Sequence, residues 1–425
     1  MKILITGTTG DSMPPPYGGI PKVSLLYARE WKKMGHDVAL TFVYRLDNAD
    51  DFGANAEYFF EYSSKQKKLK KALFLIRYFF KNPFLYINLF SKYYDLYPRI
   101  TVETVLYSAY GVYIDKVISL YKPDVILSEA ALIKTFMVAS VANKRRIPVV
   151  IDTYAEVKDP LMGVNKHLND VEKRKYWVSF LNMAELVLGI SNCSVGAQKY
   201  LPNNKTKAFY DTCDFSRCRM ELNESKVQLR EYLRLPKDMF LFVSVGAFEL
   251  RKGHDHLIKA IAILHKKGHN VGAAICGGSG DVSKWKMLAE EEKVLDKVFF
   301  FSRLSEVDLV KFYRSLDVYS NLSNSERSCG LDLALLEGMA SGNPLVVYDN
   351  GGLKEAIPEG KNGFVVKTGD IEAVGDAIVT IMNFSAEERK NMGDESVRVA
   401  SKCDIELTSK VKLGWLQEVI NNYKK

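Results

Sequence analysis

No apolar run in this chain approaches the ~18 residues that a membrane-crossing helix needs. Nor does an apolar leader precede the first strand-like stretch, MKILITG, so no secretory segment is expected. The six cysteines (Cys193, Cys213, Cys218, Cys276, Cys329 and Cys403) form no CxxC pair and are too sparse for a disulfide scaffold. A reducing cytosol is the simple reading. Low-complexity tracts are absent. Histidine is scarce, and the local group His254, His256, His265 and His269 lacks a second cluster of ligands, so it reads as surface residues around a helix rather than a metal site. These absences predict a cytoplasmic protein, soluble or peripheral at the inner face of the cell membrane.

What is present is a globular composition, 47% hydrophobic and 26% charged. At 425 residues the chain exceeds one ordinary core, so two or three domains are expected. The net charge is +8, from 59 Lys and Arg against 51 Asp and Glu. That balance suits an anionic ligand or an anionic membrane surface, and no pattern points to nucleic acid.

The stretch around which the chain is organised is Ser320 to Val347, SNLSNSERSCGLDLALLEGMASGNPLVV. It predicts the end of a buried strand, a polar turn, a helix starting at Gly330 and stopping at Ser341-Gly342, and a further strand. Glu326 and Glu337 bracket the turn and the first part of the helix. A helix start exposes unpaired N–H groups and the positive end of the macrodipole, so it suits a phosphate.

Around this stretch the sequence alternates strands and helices. Lys2 to Gly7 predicts a first strand. After the rigid Pro14-Pro15-Pro16 loop, Gly18 and Gly19 open a helix that ends at Gly35. Strands are expected at 36–44, 123–128, 148–152, in AELVLGISN and over Lys207 to Phe215. The loops at Asp152–Glu156 and Ser191–Cys193 then lie beyond strand carboxyl ends, where open α/β sheets bind ligands. Between Glu57 and Val112 the composition shifts. Lys65, Lys67, Lys68, Lys70 and Lys71 precede ALFLIRYFFKNPFLYINLF, with Leu69, Leu73, Ile76 and Phe80 on one helical face. A basic, aromatic amphipathic helix over Lys65–Phe90 is suited to an anionic membrane interface; the alternative is a core helix beside a solvated lysine face. The expected domains are 1–215, a connection over 216–238, a second domain over 239–404, and a closing helix over 405–425 packing back on the first.

The phrases VSVGAFELRKGHDHLIKAI, ICGGSGD, VFFFSRLSEVDLVKFY, LDVYSNLSNSE, LLEGMASGNPLVV, NGGLKEAI and KNGFVV occur in this order over Phe240 to Asp370. On them the second half resembles a retaining glycosyltransferase of family 4 type (glycosyltransferase group 1). The first half is similar through MKILITG, YGGI, MGHDV, AELVLGISN and KAFYDTCDF; Tyr44 to Lys122 matches nothing in the pattern. The resemblance implies the GT-B fold, two Rossmann-like doubly wound domains facing a central cleft, the first for the acceptor and the second for the donor. It implies transfer of a sugar, with retention, from a nucleoside-diphosphate sugar to a glycan or lipid-linked acceptor, as in surface polysaccharide synthesis.

On this resemblance the donor diphosphate lies against the helix start at Gly330-Leu331, with Lys252 supplying a mobile positive charge. Glu337 would hydrogen-bond the donor ribose and Glu326 would contact the transferred sugar. Gly18 and Gly19 would border the sugar phosphate, and backbone near Arg303 would hold the base. No Asp-x-Asp motif occurs, so no metal and no cofactor are expected beyond the donor substrate. Three departures matter. The glutamates are eleven residues apart instead of eight, which leaves the first acidic position to Glu326, through a three-residue insertion, or to Cys329. Ala247 stands where an arginine usually follows the glycine, with Arg251 near enough to substitute. Tyr154 stands where the first domain usually has a histidine, with Asp152 two residues earlier, and either could meet acceptor or sugar. These departures motivate an alternative, a catalytically degenerate GT-B protein acting as a glycan- or partner-binding subunit. An epimerase or phosphorylase on the same fold fits the motif order less well.

Overall fold

A computed structural model of the chain describes residues 1–6, 13, 19–47, 49–61, 68–96, 100, 102–129, 133–153, 181–189, 203–324 and 331–424. The chain divides into two compact units, Met1–Phe209 with Ser409–Lys425, and Tyr210–Thr408.

The first unit is built on a seven-stranded parallel sheet. Its strands are β1 (Lys2–Thr6), β2 (Asp37–Phe42), β3 (Glu57–Phe60), β4 (Val125–Glu129), β5 (Val149–Asp152), β6 (Leu186–Gly189) and β7 (Thr206–Ala208), in spatial order β3-β2-β1-β4-β5-β6-β7. Runs such as ILIT and VILSE are buried at every position, because helices cover both faces of a parallel sheet. These helices include α1 (Gly19–Lys33), α2 (Lys68–Lys81), α3 (Pro83–Leu96), α4 (Val102–Tyr121) and α5 (Ile133–Lys144). The strand expected over Lys207 to Phe215 is shorter. Only Thr206–Ala208 pairs with β6, and Thr212-Cys213 instead bonds to Cys403 and Ile405 inside the second unit.

The second unit repeats the plan with six parallel strands: β8 (Phe240–Val245), β9 (Val271–Cys276), β10 (Val298–Phe301), β11 (Val318–Asn321), β12 (Leu345–Tyr348) and β13 (Gly363–Val366). Their spatial order is β10-β9-β8-β11-β12-β13. The helices are α6 (Phe215–Cys218), α7 (Lys226–Tyr232), α8 (His254–Lys266), α9 (Ser283–Glu291), α10 (Glu306–Arg314), α11 (Leu333–Ala340), α12 (Ile371–Asn383) and α13 (Ala386–Ala400). Residues 216–238, read from sequence as a connection, are counted within this unit. Arg230 on α7 is buried there, donating to the Ser315, Lys237 and Met239 carbonyls and to Asp317.

The last helix, α14 (Ile405–Tyr423), carries its residues from Ser409 onward into the first unit. Trp31 Nε1 on α1 donates to the Ser409 carbonyl at 3.0 Å. Lys412 reaches the end of β5, where its Nζ lies 2.7 Å from Asp152 Oδ2, the two side chains 1% and 2% exposed. The Tyr27 ring, 3.9 Å from the Lys412 ammonium, and the Phe209 ring complete the enclosure. Asp152 was expected to meet acceptor or sugar; it is the counter-ion of Lys412 instead. Removing one member of such a pair strands a buried charge and costs about 3–5 kcal/mol, whereas replacing both is far milder. Lys412→Ala is therefore expected to lower stability to urea by about that amount. The double variant Asp152→Asn/Lys412→Met should recover most of the loss.

Candidate functional site

In an open parallel sheet the crevice for a ligand opens at the carboxyl ends of the strands, where the strand order reverses. In the second unit that point falls between β8 and β11. The loop after β8 turns through Leu250–Lys252 to Gly253, whose φ of +70° favours glycine. A Cβ on Gly253 would stand 2.0 Å from the Leu322 carbonyl oxygen, just past β11. This close approach brings the β8 loop against the β11 loop, and Asn324 N–H donates to the Arg251 carbonyl at 3.1 Å. The stem of Lys252 lies over Gly246, where a Cβ would be 3.2 Å from its Cδ.

Lys252 Nζ thereby reaches Asp332 Oδ2 at 3.2 Å, and Asn321 Nδ2 donates to the same oxygen at 3.3 Å. Asp332 is the N-cap of α11, its Oδ1 accepting from Leu335 N–H at 2.9 Å. The helix expected to begin at Gly330 thus begins at Leu333, and an aspartate caps it. The capping side chain shifts the start because it satisfies the first-turn donors better than a glycine can. The expected end holds: Ser341 closes the helix and Gly342 turns the chain at φ +87°. A carboxylate capping this helix at once neutralises Lys252 and occupies one of the donors that an incoming phosphate would seek. It was legible in the sequence only as an S/T/D/N residue before an apolar helical run.

Glu337 lies one turn inside α11 and is 2% exposed. Its Oε1 accepts from Arg217 on α6, which also pairs with Glu306 on α10. Its Oε2 accepts from the Tyr313 hydroxyl at 3.4 Å. Burial, with the Glu337 charge next, pushes the Tyr313 phenol well above its ordinary value, so it stays a donor. Asp332, Arg217 and Tyr313 are residues that the sequence did not single out. Arg217 stands 120 positions from its partner.

Arg251 pairs with the exposed Glu249 rather than reaching toward Ala247. Arg303 is exposed on the loop after β10, and Leu331 is buried just before α11. Gly19 opens α1 at the carboxyl end of β1, on the reversal point of the first sheet. There Ser24 Oγ donates to Glu129 Oε2 at 2.5 Å. Gly18, Tyr154, Glu326, Cys329 and Gly330 lie outside the described residues. No group of three or more His, Cys, Asp or Glu suited to a metal ion occurs among the described residues.

His254, expected on the surface, is fully buried. It opens α8 beneath the Lys252 loop, with Nδ1 3.2 Å from Ser244 Oγ and Nε2 3.1 Å from the Ala247 carbonyl. Burial holds its pKa down at about 4, against an ordinary 6.5. Below pH 6.5 the unfolded chain takes a proton that the folded ring refuses, so the stability is full above that pH and is lost as the pH falls toward 4. At pH 5 this amounts to about 2 kcal/mol. Urea titrations between pH 7 and pH 5 should show a loss of that order, flattened in His254→Asn.

Two doubly wound sheets, the second carrying a cation and a capping carboxylate at its reversal point, define a GT-B architecture. The likeness extends to solved structures over nearly the whole chain. Sucrose-phosphate synthase from Thermosynechococcus elongatus superposes with a TM-score of 0.74 at 15% identity, covering 98% of each chain. HepE of Anabaena, in complex with UDP and glucose, gives 0.70 at 17% identity, covering 98% of this chain and 100% of that one. Residues 225–398 match the family of glycosyl transferases group 1, and this segment belongs to it. By sequence, D-inositol 3-phosphate glycosyltransferase of Corynebacterium glutamicum (strain R) is 30% identical over 177 residues, 40% of this chain and 41% of that protein. Putative glycosyltransferase EpsD of Bacillus subtilis (strain 168) is 28% identical over 173 residues, 41% and 44% of the two chains. The matches thus span about two fifths of these relatives' length.

Proposed function

We propose that the protein is a retaining, metal-independent glycosyltransferase that moves a sugar from a nucleoside-diphosphate sugar to a glycan or lipid-linked acceptor in surface polysaccharide or glycoconjugate synthesis. The observation that carries this reading is the meeting of Lys252 with the capped start of α11 at the reversal point of the second sheet. The 225–398 family match supports it, as do the UDP and glucose held in the HepE complex. An ammonium released from Asp332 to the leaving diphosphate stabilises the negative charge that grows there in the transition state, with no metal required. Incubation with UDP-, GDP- and ADP-sugars and extracted lipid-linked acceptor tests the reading. One donor should turn over, EDTA should leave the rate unchanged, and Lys252→Ala should lower kcat/KM by about 10²–10³. Absence of turnover with every donor and acceptor counts against it.

A second reading has one specific observation behind it. Glu337 and Asp152, both expected to touch ligands, already serve as internal counter-ions of Arg217 and Lys412. A GT-B protein that binds a glycan or partner without catalysis fits that arrangement. Nucleotide binding lost in Lys252→Ala, together with turnover, argues against it.

The acceptor side would be served at an anionic membrane surface. Leu69, Leu73, Ile76 and Phe80 share one face of α2 and are 55% to 75% exposed, while Phe74 and Tyr78 on the opposite face are buried. Phe84 and Ile87 on α3 are exposed as well, and Lys70, Arg77 and Lys81 flank the stripe on α2. No helix among the described residues is long and apolar enough to cross a membrane. Such a face lies in the lipid interface with cations against acidic head groups. The protein should float with vesicles of phosphatidylcholine and phosphatidylglycerol, and Leu73→Glu/Phe80→Glu should abolish flotation. Equal flotation of the variant rejects the site.

A further inference from the structure

A polar cavity of the second unit lies away from Lys252. It is a largely open pocket of about 600 Å³ between the segment Arg219–Asn223, the first residue of α7, the end of α10 and the Ser341–Asn343 turn after α11. Leu316 and Asn343 precede β11 and β12, so the cavity sits at the amino ends of the strands. The candidate donor site sits at their carboxyl ends.

Two guanidinium groups face this space. Arg314 is held in place by one bond, Nη2 donating to the Cys218 carbonyl at 2.6 Å, while its Nε is buried and makes no hydrogen bond among the described residues. Arg219 lies along the Gly342 turn, its Nη1 3.8 Å from where a Cβ on Gly342 would stand. Among the described residues, no carboxylate is bonded to either arginine. The acidic groups nearby are Glu221, exposed at the rim, and Asp317, which is taken by Lys226 and Arg230. Burial, and next the Arg219 charge, hold the Arg314 pKa below its ordinary value, as expected of two like charges without a counter-ion. Ser341 lines the cavity through its other atoms, its Oγ being sealed from the solvent-accessible space. Two arginines lining one polar pocket, with no carboxylate bonded to either among the described residues, suit an anionic occupant.

We propose that this cavity is an anion site, separate from the donor site, that takes the phosphate group of a small polar molecule between Arg219 and Arg314. The planar forks of the two arginines suit phosphate oxygens. The volume exceeds that of a bare phosphate and accommodates a phosphorylated sugar or a comparable metabolite. Arg219 lies two residues beyond Arg217, and Ser341 lies one turn beyond Glu337, so the occupant bears on the two segments that carry the buried pair.

Calorimetric titration of Lys252→Ala protein, with the donor-side cation removed, tests the site. The probes are inorganic phosphate, glucose 6-phosphate and glucose. Glucose 6-phosphate should bind saturably at one site, and neutral glucose should not. Arg219→Ala, whose side chain is exposed and outside the core, should weaken that binding at least tenfold. Thermal unfolding of each variant without ligand verifies that it is folded. If glucose 6-phosphate binds no better than inorganic phosphate, the site takes the anion alone and the sugar-phosphate part is overturned. No saturable binding of either phosphate, or binding unchanged in Arg219→Ala, overturns the site itself.

Discussion

A parallel sheet covered by helices on both faces has nowhere to place a charged side chain except at the ends of its strands. That constraint governs both units. The strands are apolar along most of their length, and the polar residues gather where strand gives way to loop. Thr6, Ser128, Glu129 and Asp152 cluster at the carboxyl ends in the first unit; Asn321, Lys252 and Asp332 do so in the second. The reversal of strand order then separates two neighbouring loops enough to admit a ligand. Gly253 fixes where the β8 loop runs in the second unit. Without a Cβ it lets the β8 loop lie against the Leu322 carbonyl, and only from there does Lys252 reach α11.

Much of this was legible in the sequence because it depends on short-range chemistry. Alternating apolar runs and helical periodicity mark both sheets, and Gly342 before Pro344 marks the end of α11. The motif run over Phe240 to Asp370 carried the order of elements in the second unit. What escaped depends on partners distant in the chain. Asp152 and Glu337 look like free carboxylates until Lys412 and Arg217 are brought to them across 260 and 120 residues. His254 reads as a surface residue because its neighbours His256 and Lys259 are polar. Its position as the first residue of α8, turned toward Ser244 and the Ala247 carbonyl, is a tertiary fact. The Tyr44–Lys122 segment matched no pattern, and its composition did not decide which face of α2 would be covered.

The distribution of charge separates internal counter-ions from groups that face ligands. Glu337 and Asp152 are each almost fully buried against a cation, so their negative charge is spent inside the fold and shapes the surrounding helices. Lys252 and Asp332 differ: both are partly exposed, and their contact at 3.2 Å is one that an arriving diphosphate can exchange at little cost. In the proposed donor site such a pair would hold the ammonium in place until a stronger anion took it over. Arg219 and Arg314 stand at the other extreme, two cations sharing a cavity with no carboxylate among the described residues bonded to either. Along one sheet the protein therefore keeps three kinds of charge. Glu337 is neutralised inside the fold, Lys252 is paired with the partly exposed Asp332, and the two arginines at the amino ends have no acidic partner among the described residues. Only the last two kinds have anything to gain from a phosphate. They lie at opposite ends of the same strands, so the two proposed anion sites would not compete for one cation.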